Sequence, residues 1–315
     1  VRIVVTGASG FVGRALARRL PVLGHEMVAV TRTEPPAGVV EGVRWSGVTD
    51  RIALRAALRN ADALVHLAAR VHVMHEASAD PLTAFRQVNV DGACAAADVA
   101  RELGVARSLL MSTVKVLGEG RSEPFSDEDA PAPADAYAVS KYEAEAEFRQ
   151  RLPASGWTVL RPPLVYGPGV AGNLARLLRL GVDLAGVPLP LGAALGPRSL
   201  VFADNLADAV VAALQSQAAG GQTYVVADSE SPTTADLLRD LARHAGRRAV
   251  LFPVPRPILR AVARLSGRGA EIGRLAGSLV VDSSRFCRDT GWAQAVSLDG
   301  GLARTVAWWK ERRRA

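Results

Sequence analysis

Residues 2–13 read R-I-V-V-T-G-A-S-G-F-V-G, a β-branched run that passes directly into Gly7, Gly10 and Gly13. Gly7 permits the tight strand-to-helix turn, Gly10 lets backbone N–H groups close on a pyrophosphate, and Gly13 lets the next helix pack tightly on the sheet. That helix, opening at Phe11 and Val12, offers its first N–H groups to the anion. Glycines at this spacing alone mark only a turn. Their place at the head of a strand–turn–helix unit points to a dinucleotide.

Outward from the turn, strand-like runs at Arg2–Thr6, Met27–Val30, Val43–Trp45, Ala63–Leu67, Ser108–Ser112 and Thr158–Arg161 alternate with segments of helical period. The longest of these segments, Leu82–Leu103 and Tyr137–Leu152, are alanine-rich with apolar residues three and four apart. Strand–helix repetition predicts an α/β fold, a doubly wound parallel Rossmann sheet with right-handed crossovers. After Pro168 the chain loosens into pieces such as G-V-P-L-P-L-G, returns to strand and helix at Val201–Gln215, and then reads mainly helical. The expected division is a dinucleotide-binding domain of residues 1–168 and 200–228, and a smaller, mainly helical substrate domain of residues 169–199 and 229–315.

Composition narrows the class. The 315 residues are 49% hydrophobic and 22% charged, with 29 Gly and 18 Pro, which excludes disordered and fibrous chains. Cys94 and Cys287 form no cluster with histidine or each other, so neither a disulfide framework nor a metal site is expected. No uncharged apolar stretch approaches the span of a bilayer, and no signal-peptide pattern follows Val1. The expectation is a cytoplasmic protein without membrane insertion. Net charge is +7 from 38 cations and 31 anions, and the cations are arginines except Lys115, Lys141 and Lys310. They are scattered, with no aromatic–basic interleaving, so nucleic acid is not an expected partner.

Tyr137 and Lys141 form Y-x-x-x-K near the start of a predicted helix, one turn apart on one face. An ammonium beside a phenol favours the phenolate, so the expected effect is a tyrosine pKa lowered toward the range of a general acid/base. With T-G-A-S-G-F-V-G, H-L-A-A at His66–Ala69, Asn89 and S-T-V-K-V at Ser112–Val116, the chain resembles an extended short-chain dehydrogenase/reductase of the NAD-dependent epimerase/dehydratase family, nucleotide-sugar branch. The resemblance spans essentially the whole chain. It implies that Thr113 hydrogen-bonds the substrate oxygen, that Tyr137 donates or accepts the proton, and that Lys141 holds the nicotinamide ribose and tunes the tyrosine. It also implies that Leu67, Ala68 and Ala69 line the cofactor through their backbone and that Pro163 borders the nicotinamide. No metal is required.

The cofactor is NADP or NAD. Thr31 and Arg32 stand where an NAD site usually places an acidic residue, and Arg32 suits a 2′-phosphate, so NADP is slightly favoured. Where many relatives have an aspartate before an aliphatic residue at the adenine, this chain has Gly47 and Val48. For the substrate, the resemblance places Asn173, Arg198, Arg274 and Asp282 at a nucleoside-diphosphate sugar, with Ser112 and Lys115 near the hexose; forked guanidinium donors suit a diphosphate. Val114 lacks the acid that 4,6-dehydration needs. What remains is oxidoreduction at C4, by resemblance on a UDP-N-acetylhexosamine derivative for bacterial surface polysaccharide. A 4-ketoreductase is slightly preferred. The alternatives are a UDP-hexose 4-epimerase with tightly held NAD, a carbonyl reductase, or a non-catalytic NADP-binding sensor. The resemblance further implies a homodimer built on the two long helices.

Overall fold

The computed structural model describes residues 1–71, 80–192, 196–254 and 278–312. Strand β1 (Arg2–Thr6) lies in the interior of the sheet, its Ile3, Val4 and Val5 closed from solvent on both faces. Helix α1 (Phe11–Val22) leads to β2 (Glu26–Thr31), β3 (Glu41–Arg44), α2 (Arg51–Leu58) and β4 (Ala63–His66). Then come α3 (Pro81–Glu102), β5 (Arg107–Met111), a 3-10 turn (Val114–Leu117), α4 (Ala136–Arg151) and β6 (Trp157–Arg161). The described remainder holds β7 (Leu164–Tyr166), α5 (Gly172–Leu178), β8 (Leu200–Phe202), α6 (Ala203–Gln215), β9 (Gln222–Val225), α7 (Thr234–His244), α8 (Ser284–Thr290) and α9 (Leu298–Glu311).

Seven strands pair in the order β3-β2-β1-β4-β5-β6-β9, every pair parallel, while β7 and β8 form a separate parallel pair. Such strands bury both faces, which explains the near-continuous apolar runs. On one face α1 and α6 pack with Leu16, Leu20, Leu206 and Val210. The pair is cross-linked at its surface, where Arg19 grips Asp208 through two bonds of 2.8 and 2.9 Å and Arg18 reaches Asp204 at 3.0 Å. The other face is covered by α2, α3 and α4, whose small Ala93, Ala96, Ala97 and Ala144 let the two long helices lie close. The later segments build their own apolar cluster from Tyr166, Leu174, Leu178, Phe202, Leu238 and Leu302.

The order reverses between β1 and β4, and in open parallel sheets ligands bind outside the carboxyl ends of the strands at such a switch point. Thr6 and His66 end those two strands. Each expected strand is present, β1 with the expected bounds and the others with an end moved by at most two residues. The largest shift is at β3, an edge strand of mostly exposed residues, where burial gives the pattern little to mark. Strands β7 and β9, three and four residues long, were not foreseen.

Candidate active site

The glycine turn closes against the end of β4. Gly7 donates to the Val30 carbonyl at 3.0 Å and Gly10 to the Gly7 carbonyl at 2.9 Å. Gly7 has φ +70°, and a Cβ there would lie 2.8 Å from the Ala68 backbone. At Gly13 a Cβ would come within 2.4 Å of the Ala8 carbonyl, so α1 is seated as closely as the sequence predicts. Helix α1 has no side-chain cap and no acidic residue in its first turn, so its first N–H groups, around Phe11 and Val12, have no side-chain acceptor there and suit an anion. Thr6 Oγ1 meets His66 Nδ1 at 2.9 Å and accepts from the Ala68 N–H at 3.4 Å, holding Leu67, Ala68 and Ala69 along the turn. Burial drives the His66 pKa down to about 3, with the Lys141 charge adding to it, so the imidazole is neutral. These residues fit a dinucleotide diphosphate: the cradle is backbone, and side chains are excluded from it.

Beyond β2 lies a cleft of about 680 Å³ lined by Ser9, Arg14, Arg18, Thr33 and Glu34, among others. Arg18 is engaged by Asp204, whereas Arg14 and the neighbouring exposed Arg32 have no carboxylate partner among the described residues. Arg14 escaped the sequence reading; its signal was its place in the first turn of the helix after the glycines. Val48 lies against Gly92 of α3, and Pro163 is buried just after β6.

Tyr137 and Lys141 come from the first turns of α4. Asp135 caps that helix, accepting from the Ala138 N–H at 2.7 Å. Lys141 is 2% exposed and its Nζ donates to the Met111 carbonyl at 2.7 Å, at the end of β5. Burial brings its pKa down to about 8 despite the opposing charge of Glu145. Tyr137 stacks edge-on against Phe85 with centroids 5.9 Å apart, and no described residue hydrogen-bonds its hydroxyl. Its pKa is shifted opposite to expectation. Burial, then the carboxylate of Asp135, holds the phenol well above its ordinary range, while the ammonium meant to lower it is turned to the Met111 carbonyl. Thr113 follows β5 and opens the 3-10 turn, its Oγ1 accepting from the Lys115 N–H at 3.3 Å.

Ser112 and Lys115, expected near the hexose, are each engaged by a carboxylate of the fold. Ser112 donates its hydroxyl to Glu145 at 2.5 Å inside the core, because Glu145 is buried and Arg161, which grips it at 3.0 and 2.6 Å, leaves lone pairs to satisfy. Lys115 pairs with Asp135 at 2.5 Å, tying the 3-10 turn to the start of α4. Both contacts tie the chain around Thr113 to α4, the helix that carries Tyr137. Asn89, one of the residues that carry the resemblance, does related work whose partners the sequence does not show. Its amide holds the Arg70 backbone (2.8 and 3.2 Å) and donates to Ser140 at 2.9 Å, and Ser140 donates to the Tyr137 carbonyl at 2.8 Å.

On the substrate side, Asn173 is exposed at the start of α5. Arg198 is half-buried; its backbone is bridged to Leu279 and bonded to Pro232, but its buried Nε has no partner among the described residues. Burial lowers its pKa, and Glu119 opposes the shift. An orphaned guanidinium nitrogen fits an anionic group. The Asp282 carboxylate accepts from the Ser284 N–H at 2.9 Å and is exposed ahead of α8. Arg274 lies outside the described residues.

With this geometry in view, the description "NAD dependent epimerase/dehydratase family" matches residues 3–227. The chain belongs to that family. A UDP-glucose 4-epimerase of Vibrio cholerae is 34% identical over 311 residues, 96% of this chain and 94% of the relative. The N-acetyl-α-D-glucosaminyl-diphospho-ditrans,octacis-undecaprenol 4-epimerase of Escherichia coli O157:H7 is 25% identical, with 96% and 94% covered. The solved structure of MoeE5 in complex with UDP-glucose and NAD superposes with a TM-score of 0.79 at 23% identity, covering 99% of this chain and all of that one. This family member is thus an enzyme with the Rossmann-like sheet of the epimerases, of a family whose chemistry depends on NAD. No described helix is long and apolar enough to cross a membrane.

Proposed function

We propose that this protein is an NAD(P)-dependent oxidoreductase acting at C4 of a nucleoside-diphosphate sugar, a UDP-N-acetylhexosamine derivative, and working as a 4-ketoreductase. The observation that carries it is the seating of Tyr137 and Lys141 at the end of β5 beside the glycine turn, held by Lys141 to Met111 and by Asn89 through Ser140. Bound cofactor supplies the hydride at C4. Thr113 donates a hydrogen bond to the C4 oxygen, and Tyr137 delivers its proton to the same atom. A phenol held protonated is set for donation, and a forming alkoxide is basic enough to take its proton, which supports reduction as the working direction. Lys141 orients the nicotinamide ribose, and Leu67, Ala68, Ala69 and Pro163 wall the ring.

NADP is the proposed cofactor. Its support is Arg14, which lines the cleft beyond β2, and the exposed Arg32 next to the lining residue Thr33, neither with a carboxylate partner among the described residues, so that both suit a 2′-phosphate. Asn173, Arg198 and Arg274 are proposed to hold the substrate diphosphate. Residues 1–168 and 200–228 are proposed as the cofactor domain, and 169–199 with 229–315 as the sugar domain. A cytoplasmic homodimer through α3 and α4, serving surface-polysaccharide synthesis, completes the proposal.

The second reading is a 4-epimerase that keeps NAD bound, which the activity named for the Vibrio cholerae relative favours. A guanidinium that reads only the diphosphate also admits a polyprenyl diphosphate as the carrier, the kind named for the Escherichia coli relative. The test is to denature the purified protein, identify any released nucleotide, and assay UDP- and dTDP-sugars and a polyprenyl-diphosphate sugar with both cofactors. Turnover of a 4-keto sugar with exchangeable NADPH supports the reductase. Stoichiometric NAD with interconversion of 4-epimers overturns it.

A further inference from the structure

Away from the cleft, the chain between α5 and β8 meets the chain after α7 in a short ledge. Leu189 donates to the Val250 carbonyl at 2.9 Å, Phe252 to the Leu189 carbonyl at 3.1 Å, and Gly192 to the Phe252 carbonyl at 3.0 Å. Side chains alternate across such a pairing, and a solvent-facing row is ordinarily polar. Here Leu191 and Leu251 pack on the apolar cluster of the later segments, yet the outward row is apolar too. Val187, Val250 and Phe252 are 48%, 45% and 44% exposed, and Leu184 beside them is 40% exposed.

The rim is basic. Leu184 bonds the Arg179 carbonyl, and Arg247 and Arg248, both exposed, immediately precede the Val250 strand. Asp183 is the one acidic residue in 176–192, and 245–254 contains none. Asp183 is half-buried and accepts from the Trp309 indole at 3.1 Å. Pro188, Pro190 and Pro253 stand among the outward residues and lack the N–H that strand pairing with another chain needs. Apolar side chains ringed by arginines, on a chain of net charge +7, match the boundary of an anionic bilayer: hydrocarbon below, phosphate at the rim.

We propose that this ledge, Leu184, Val187, Val250 and Phe252 rimmed by Arg179, Arg247 and Arg248, docks the enzyme onto an anionic membrane surface. The docking proposed is peripheral, since no described helix is long and apolar enough to cross the bilayer. The inference does not depend on which diphosphate carrier bears the sugar. Gly192 lies six residues before Arg198, a span of at most about 20 Å, so docking brings the proposed diphosphate site near the headgroup layer.

The full chain is sedimented with vesicles of phosphatidylcholine alone and of phosphatidylcholine with about a third phosphatidylglycerol, across a salt series. Binding is expected on the anionic vesicles, weakening as salt rises. Val250→Glu/Phe252→Glu and Arg247→Glu/Arg248→Glu double variants are each expected to bind at least about fivefold more weakly. Both are expected to keep the wild-type circular dichroism and the affinity for dinucleotide. The charge variant keeps the test decisive should the apolar one misfold. Equal binding to both vesicle types, no binding to the anionic ones, or binding unchanged in both variants overturns the proposal. So does a concentration-dependent dimer in ultracentrifugation that the apolar variant abolishes while vesicles are ignored, since a second copy then covers the ledge.

Discussion

Replacing Lys141 by methionine is expected to stabilise the fold while abolishing activity. The ammonium is 2% exposed and has one described hydrogen bond, to the Met111 carbonyl, for its three donors. Burial lowers its pKa from 10.5 to about 8, a difference of about 2.5 units, which at 1.36 kcal/mol each makes the charged form cost about 3 kcal/mol. The sign follows from proton binding. Between pH 8 and 10.5 the unfolded chain keeps a proton that the folded chain has shed, so stability from this group rises with pH across that window. At pH 7 both states are protonated and the cost is fully present. Methionine has similar volume and no charge, so urea unfolding at pH 7 should show Lys141→Met more stable by about 2–3 kcal/mol, without the rise above pH 8. Turnover should fall at least about a hundredfold. A variant less stable than wild type at pH 7, or one that keeps the alkaline rise, would refute the reasoning.

Further expectations rest on other groups. Glu145→Gln leaves Arg161 buried without its anion and should cost about 3–5 kcal/mol in urea melts, whereas Glu145→Leu with Arg161→Met should cost less than either single change. His66, neutral in the fold with a pKa of about 3 against 6.5 when unfolded, should make stability fall as pH drops below 6.5. The loss is about 2 kcal/mol by pH 5, and the slope should vanish in His66→Leu. Arg14→Ala and Arg32→Ala should each weaken binding of 2′,5′-ADP about tenfold while leaving NAD affinity within about twofold, measured by calorimetry; equal losses for both ligands would remove the 2′-phosphate from the cleft.

The parts of the fold legible in the sequence were those where one cause dominates. Gly7 and Gly13 stand where backbone meets backbone, and Tyr137 and Lys141 sit one turn apart on a helix whose start is fixed by Asp135. Strands β1, β2, β4, β5 and β6 are buried on both faces, so their apolar runs are unmistakable. Long-range partners were not legible. Ser112 is turned inward by Glu145, 33 residues away, and Lys115 is captured by Asp135, 20 residues away. The phenol's electrostatics failed for a related reason: helical spacing puts lysine and tyrosine on one face but cannot tell that the Met111 carbonyl claims the ammonium. The ledge escaped because its two segments lie far apart in sequence, and the exposure of Val250 and Phe252 depends on how they pair with the chain at Leu189.

Single-turnover reduction of a UDP-4-keto-N-acetylhexosamine by NADPH, followed through loss of nicotinamide absorbance in wild type and in Tyr137→Phe, tests the central claim most directly. The account predicts that the variant folds, binds cofactor and sugar with near wild-type affinity, and loses about a hundred- to ten-thousandfold in the hydride-transfer rate. A phenylalanine variant that turns over at the wild-type rate contradicts it.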